Sequence, residues 1–408
     1  MEKRKRDDDA PILKRVKSKI IGLNGPLKLY RLNGIDLNGK ERTLYLFGEK
    51  HTENYCKNWI DAQPENIISF VNFLIRLIRL TKRQHIFLDI YVEIIGFDNK
   101  QYGLEGERLY TDDNGMITSI YKKFKNCIQT STRNKCKGFR MHWADSRNTR
   151  QYSFVSFINF IQDILFVINK DISQKESGLS LICKKLSTNI IVQKYLESVE
   201  LNDNIEDFSE YMISYILYEI DIVKKEYDQV DDLYKPYIFS FFKNQIESLM
   251  IGEYDNYRNK LLSLHSVLFL QNVLGINRLH NLLKDIAFNP INVALEANVM
   301  NIYTICRILK SYNIERLPTE TNLEYESRIE LDPSKIYNPQ PESATNIIFY
   351  GGEKHVGVIS DFFTTIPNFT KTVISESEED TNCLKLDPDI DFFGNKLRDI
   401  VFQGEEKI

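Results

Sequence analysis

The same four residues, Gly-Glu-Lys-His, occur twice in this chain, at 48–51 and 352–355. Each time an apolar run leads straight into them: Leu44-Tyr45-Leu46-Phe47 before the first, Ile347-Ile348-Phe349-Tyr350-Gly351 before the second. Short apolar runs of this kind, bounded by glycine, read as buried strands. Open α/β sheets set their ligands just past the carboxyl ends of strands. Glycine supplies the sharp turn or close approach needed there. Glu and His two residues apart point the same way wherever strand geometry persists. The repeat therefore predicts an α/β fold in which two strand ends present Glu49, His51, Glu353 and His355 to one cleft. With only six histidines in 408 residues, their recurrence at equivalent places is informative.

The text between the motifs sets the organisation. Residues 27–32 and 43–47 flank a turn-rich stretch, Asn33-Gly34 to Gly39, and read as a hairpin. Residues 64–80 carry apolar positions at helical spacing, and 86–92 read as a buried strand ending at Glu93. Residues 96–118 are rich in Gly, Asp and Asn and read as a long loop, followed by a short strand at 139–143. From 154 to about 311 the pattern is almost wholly helical, with Asn289-Pro290 separating two helices. The expected plan is a basic arm (1–22), the first half of an α/β core (23–150), a helical insertion (151–312), the second half of the core (313–375) and a weakly structured acidic tail (376–408). The central sheet is expected to be mixed and flanked by helices.

Two further constellations qualify as chemistry-bearing. Glu93 closes a strand with Asp89 four residues earlier on the same face by parity. Beside two histidines such an acid can ligate a metal, orient an imidazole or act as general base. His142-Trp143-Ala144-Asp145-Ser146-Arg147 also follows a strand. Its arginine suits a carboxylate, a phosphate or an oxyanion, and Asp145 with Arg147 equally suits a loop-holding pair. His85, His265 and His280 have no acidic partner at ligand spacing and are assigned to packing or surface. No Walker A, GxGxxG, HExxH, GxSxG or zinc-type Cys/His spacing is present.

Charge excludes a global role for polyanions: 53 basic residues stand against 57 acidic, a net of -4. A nucleic-acid partner is not expected, because no aromatic-interleaved basic stripe lies beyond the arm. The arm itself carries Lys3-Arg4-Lys5-Arg6 and Lys14-Arg15-Val16-Lys17, spaced like a bipartite nuclear-import signal or simply a solvated tail. No signal peptide or membrane span is expected. The six scattered cysteines read as reduced thiols in a cytosolic or nuclear protein.

A strand ending in Gly-x-x-His, an acid at a later strand end, an arginine and a second Gly-x-x-His resemble the Tiki/TraB, ChaN-like and erythromycin-esterase-like superfamily. In this sequence those positions are Gly48 and His51, Glu93, Arg147 (less well Arg140 or Arg307), and Gly352 and His355. Fuller stretches, including Phe87-Leu88-Asp89-Ile90-Tyr91-Val92-Glu93 and Asn301-Ile302-Tyr303-Thr304-Ile305-Cys306-Arg307, resemble a protein family of mimivirus-like large DNA viruses. The superfamily resemblance implies a hydrolase acting on a small-molecule or peptide substrate, with a divalent metal of unspecified identity held by His51, His355 and Glu93. Arg147 would stabilise developing charge, and Glu49 or Glu353 would carry a proton. The viral resemblance implies host cytoplasm, nucleus or virion as the location. The alternative is a catalytically inactive structural or host-interaction protein, binding a protein partner through its helical region; analogy of fold alone does not decide activity.

Overall fold

The computed structural model describes residues 20–50, 56, 66–95, 115–128, 136, 138–145, 187, 193, 196, 204–269, 276–312, 341, 343–377 and 382–402. Residues 1–19 of the expected arm, His51, all of 96–114 and most of 146–203, Arg147 among them, lie outside this set, whereas Ile21 and Gly22, expected at the end of the arm, are strand.

The expected hairpin is β2 (Lys28–Ile35) and β3 (Glu41–Glu49), antiparallel from Lys28↔Gly48 to Ile35↔Glu41. Asp36 builds its turn: Oδ1 accepts the backbone N–H groups of Asn38 (2.9 Å) and Lys40 (2.8 Å). The other oxygen of Asp36 takes the buried Arg42 Nε at 2.5 Å. Arg42 also donates to the Ile308 carbonyl at 3.0 Å, tying the hairpin to a distant helix end.

β3 pairs in parallel with β7 (Asn346–Gly352), which pairs in parallel with β5 (Leu88–Ile95), and β5 with β6 (Phe139–Asp145). With β8 (Phe369–Glu376) the six-stranded mixed sheet runs β6-β5-β7-β3-β2-β8. Its central strands are apolar on both faces because both faces are covered. Leu44, Leu46, Ile347 and Phe349 pack into one core, and Tyr45, Phe47, Ile348 and Tyr350 into the other.

The second core is closed by α1 (Phe70–Arg83), α2 (Met116–Phe124) and α10 (Leu397–Phe402). Ser69 caps α1 by accepting the Asn72 N–H. Ile67–Ser69, expected inside that helix, instead form β4, which joins β1 (Ile21–Asn24) and β9 (Cys383–Leu386) in a separate three-stranded sheet. Pairing with β1 outweighs the helical periodicity there. A short hairpin of β10 (Asp391–Phe392) and β11 (Asn395–Lys396) follows. The stretch 383–402, expected as weakly structured tail, is thus ordered, its Leu384, Leu386, Phe392 and Leu397 buried. Met116–Phe124 begins inside the expected loop, and β5 continues two residues past Glu93.

Between β6 and β7 every described element is a helix: α3 (Ile205–Tyr218), α4 (Asp221–Tyr227), α5 (Lys235–Met250), α6 (Tyr254–Phe269), α7 (Ile276–Ala287) and α8 (Pro290–Leu309). Asn289 caps α8 and Pro290 opens it, as the dipeptide predicts. These helices and α9 (Glu353–Thr365) pack on the first core face. None of the described helices is long and apolar enough to cross a membrane.

The expectation of reduced cysteines is corrected. Cys56 is bonded to Cys383 and Cys127 to Cys136, while Cys306 is free and buried. The first pair is 327 residues apart in sequence, with Cα atoms 5.0 Å apart in the fold, a proximity that spacing does not reveal.

Candidate functional site at the carboxyl ends of the parallel strands

β7 passes into α9 without a connecting loop, Gly352 serving as the N-cap of the helix. The first turn of a helix leaves backbone N–H groups unpaired and carries partial positive charge. Glu93 of the neighbouring strand answers it: its Oε2 accepts the Gly352 N–H at 2.5 Å. A Cβ on Gly351 would sit 3.0 Å from that same oxygen and 2.9 Å from the Phe349 ring, so the preceding position requires glycine. Glu93 is 5% exposed.

His355 lies in the first turn of α9. Its Nε2 is 3.5 Å from Glu93 Oε1, and its Nδ1 is 2.8 Å from Asn301 Oδ1 on α8. Asn301 Nδ2 in turn faces Asn298 Oδ1, one turn earlier on the same helix, at 3.4 Å. Strand, helix N-terminus and covering helix thus each contribute one side chain to a line from carboxylate to imidazole to amide.

The two Gly-Glu-Lys-His segments are not equivalent. Gly48 is opposite Gly351 and Glu49 opposite Gly352, so the repeats are one residue out of step. A one-residue offset turns side chains to the other face of a sheet. Glu49 accordingly accepts a hydrogen bond from the Tyr350 hydroxyl, on the α1 side, whereas Glu93 meets His355 on the α8 side. β3 also runs on through Glu49, while β7 has already become helix at Glu353. Glu353 pairs with Lys28, Oε2 to Nζ, at 3.4 Å, and its Cα lies only 3.1 Å from where a Gly48 Cβ would be. The expected single cleft therefore brings together Glu93 and His355 but directs Glu49 away.

His51 and Arg147 lie outside the described residues. The described neighbours of His51 are nonetheless fastened. Asn382 accepts the Lys50 N–H (2.9 Å) and donates to the Lys50 carbonyl (2.6 Å), and Cys56 is bonded to the adjacent Cys383.

Of the alternative arginines, neither joins Glu93 and His355. Arg140 grips Asp89 with two bonds, Nε to Oδ1 at 2.6 Å and Nη2 to Oδ2 at 3.0 Å. Arg307 donates to Glu226 Oε1 (3.1 Å), to the Tyr303 hydroxyl (2.9 Å) and to His142 Nδ1 (2.9 Å). His142, expected at a strand-end site, is instead wholly buried in this mid-sheet cluster, its Nε2 3.1 Å from Asp89 Oδ1 and its ring stacked on Tyr91. Burial, with the Arg307 and Arg140 charges, pushes its pKa down to about 3 against the pull of Asp89, so the ring is neutral. Burial pushes the Asp89 carboxyl up, but Arg140 and His142 outweigh it and hold it below its usual value. The cluster is a paired polar core in which Arg307 Nε is left without a hydrogen-bond partner among the described residues.

Asn301 is the functional candidate that sequence reasoning passed over. Its signal in the chain is polar spacing, Asn298, Asn301 and Thr304 running on to Arg307 along one helix. Among the described residues no group of three or more His, Cys, Asp or Glu is assembled to hold a metal; Glu93 and His355 provide two donors. No family model matches the chain, and neither curated proteins nor solved structures provide a match.

Proposed function

We propose that this chain is a hydrolase whose site lies where the carboxyl ends of β3, β5 and β7 meet the N-terminus of α9. The observation that carries the reading is the Glu93–His355 pair: a nearly buried carboxylate fixed through one oxygen by Gly352, its other oxygen 3.5 Å from an imidazole. An acid and an imidazole so placed can take a proton from an attacking water and return it to a leaving group. Exposure supports the assignment: the His355 side chain retains 12% accessibility, while His142 has none.

His51 is the expected third member. It follows Glu49 by two residues in the sequence. Glu49 in turn pairs with Gly352. One nitrogen from each histidine with the Glu93 carboxylate is an ordinary ligand set for a catalytic divalent ion, which would polarise the substrate carbonyl and acidify a bound water. Arg147 is the proposed stabiliser of developing negative charge, and a peptide or ester is the proposed substrate.

The test is metal analysis of the purified full chain together with divalent-dependent cleavage of a peptide and ester panel. One bound divalent ion per chain is expected, lost with the hydrolysis in His51→Ala, His355→Ala and Glu93→Gln. Neither bound metal nor cleavage in the wild type would overturn the proposal and leave the reading of an inactive scaffold.

A further inference from the structure

The helical region contributes one side chain to this site, and it constrains the chemistry of the histidine. His355 Nδ1 is 2.8 Å from Asn301 Oδ1, within hydrogen-bond range. The direction of the Asn301 amide follows from its other end, since Nδ2 faces the carbonyl oxygen of Asn298 at 3.4 Å. An amide donating toward Asn298 turns its acceptor oxygen to the imidazole, so the ring must donate from Nδ1. A neutral imidazole has one N–H and one lone pair. In the neutral ring the lone pair therefore sits on Nε2, the nitrogen directed at Glu93 Oε1; a second proton drawn there by the carboxylate gives the imidazolium and leaves the Nδ1–H in place.

Burial makes this restraint firm. Asn301 is 1% exposed and Asn298 3%; losing its partners would be costly for the Asn301 amide, while Asn298 gives its oxygen to the network and its Nδ2 has no hydrogen-bond partner among the described residues. Both lie on α8, whose Asn289 cap and Thr304 hydroxyl, reaching the Ala144 carbonyl at 3.4 Å, fix it against the sheet. An Nδ1–H held by an oxygen acceptor is how proteins orient a histidine for work at the opposite nitrogen.

We infer that Asn301 is a positioning residue: it holds His355 as the Nδ1–H tautomer and presents the Nε2 lone pair to the Glu93 side of the site. The functional consequence rests on the hydrolase reading, whereas the tautomer itself does not. α8 is then part of the site rather than a lid over it.

Long-range proton–nitrogen NMR of histidine-labelled full-length protein in mildly alkaline buffer reads the tautomer directly, with His355→Gln assigning the signal. The wild type should show a protonated Nδ1 and a bare Nε2. Asn301→Asp, which keeps the acceptor oxygen, should retain that pattern. Asn301→Leu should populate Nε2–H, with an unchanged melting profile confirming that the fold survives. Calorimetric titration with Zn2+ or Mn2+ alone adds a second reading: loss of such an orienting partner typically weakens metal binding about 10- to 100-fold, expected in Asn301→Leu and not in Asn301→Asp. A wild-type ring protonated on Nε2, the pattern if Asn301 donates through its amide nitrogen instead, overturns the inference. So does an Asn301→Leu protein with unchanged tautomer and affinity, even though metal binding would then still favour the hydrolase. A tautomer that follows Asn301 in a protein that binds no divalent ion upholds the positioning role and removes the metal-dependent hydrolase.

Discussion

Two polar clusters share one face of the sheet, and β5 and α8 contribute to both. Asp89, Arg140, His142, Arg307, Glu226 and Lys310 form the first, in the middle of the sheet; Glu93, His355 and Asn301 form the second, at the strand ends. The separation along β5 is four residues, about 13 Å at strand rise. Residue types alone would favour the first as an active site, since it holds His, Asp and two arginines within bonding distance. Yet its groups are matched to one another and closed off from solvent, with a neutral imidazole between Asp89 and Arg307. The second cluster is sparser, and its His355 side chain keeps 12% accessibility. Charge density marks the anchor, and accessibility marks the site.

The sharpest way to break that comparison is to unpair the anchor. Arg140→Met should leave the Asp89 carboxylate buried and uncompensated, costing on the order of 3–5 kcal/mol in urea unfolding. Glu93→Gln keeps an acceptor for Gly352 and should cost only about 1 kcal/mol. Equal losses would mean that the two clusters do the same job.

A smaller effect, graded with acidity, comes from His142. Its folded pKa of about 3 lies below the ordinary value of 6.5. The unfolded chain therefore binds the proton first, and stability should fall as pH drops below about 6.5, by up to roughly 1.4 kcal/mol per pH unit. Asp89, whose folded pKa is depressed, adds a loss only once pH falls through the carboxylate range. His142→Gln should flatten the urea-midpoint profile between about pH 6.5 and 5. Identical slopes in the two proteins would show that His142 is not held neutral.

The least effect is expected from Glu353→Gln. The Lys28–Glu353 pair is partly exposed, with side chains 31% and 26% accessible, and such pairs contribute about 0.2–1 kcal/mol. Divalent binding should be unchanged; its loss would return Glu353 to the site.

Much of the framework was legible. Apolar runs at 44–47, 88–92 and 346–350 announce buried strands because both sheet faces are covered, and Asn289-Pro290 marks the start of α8. Ile67 and Ile68 misled because isoleucine at helical spacing serves a strand equally well once β1 is beside it. The register of the motifs was illegible: one added glycine, Gly351, shifts the second repeat by a residue, so Glu49 stands opposite Gly352 rather than Glu353. Glu93 and His355 were readable as a pair because each follows an apolar run that forms a parallel strand. Asn301 was not, since an asparagine in a buried helix declares its purpose only when its neighbour in space is known.

The grip of Asn382 and Cys383 on Lys50 and Cys56 has its own consequence. Two consecutive residues near the carboxyl terminus act as a buckle for both ends of the span that carries His51. A chain cut short before residue 382 would lose that buckle together with β9 and α10, whose Leu384, Leu386, Leu397 and Ile400 help close the second core.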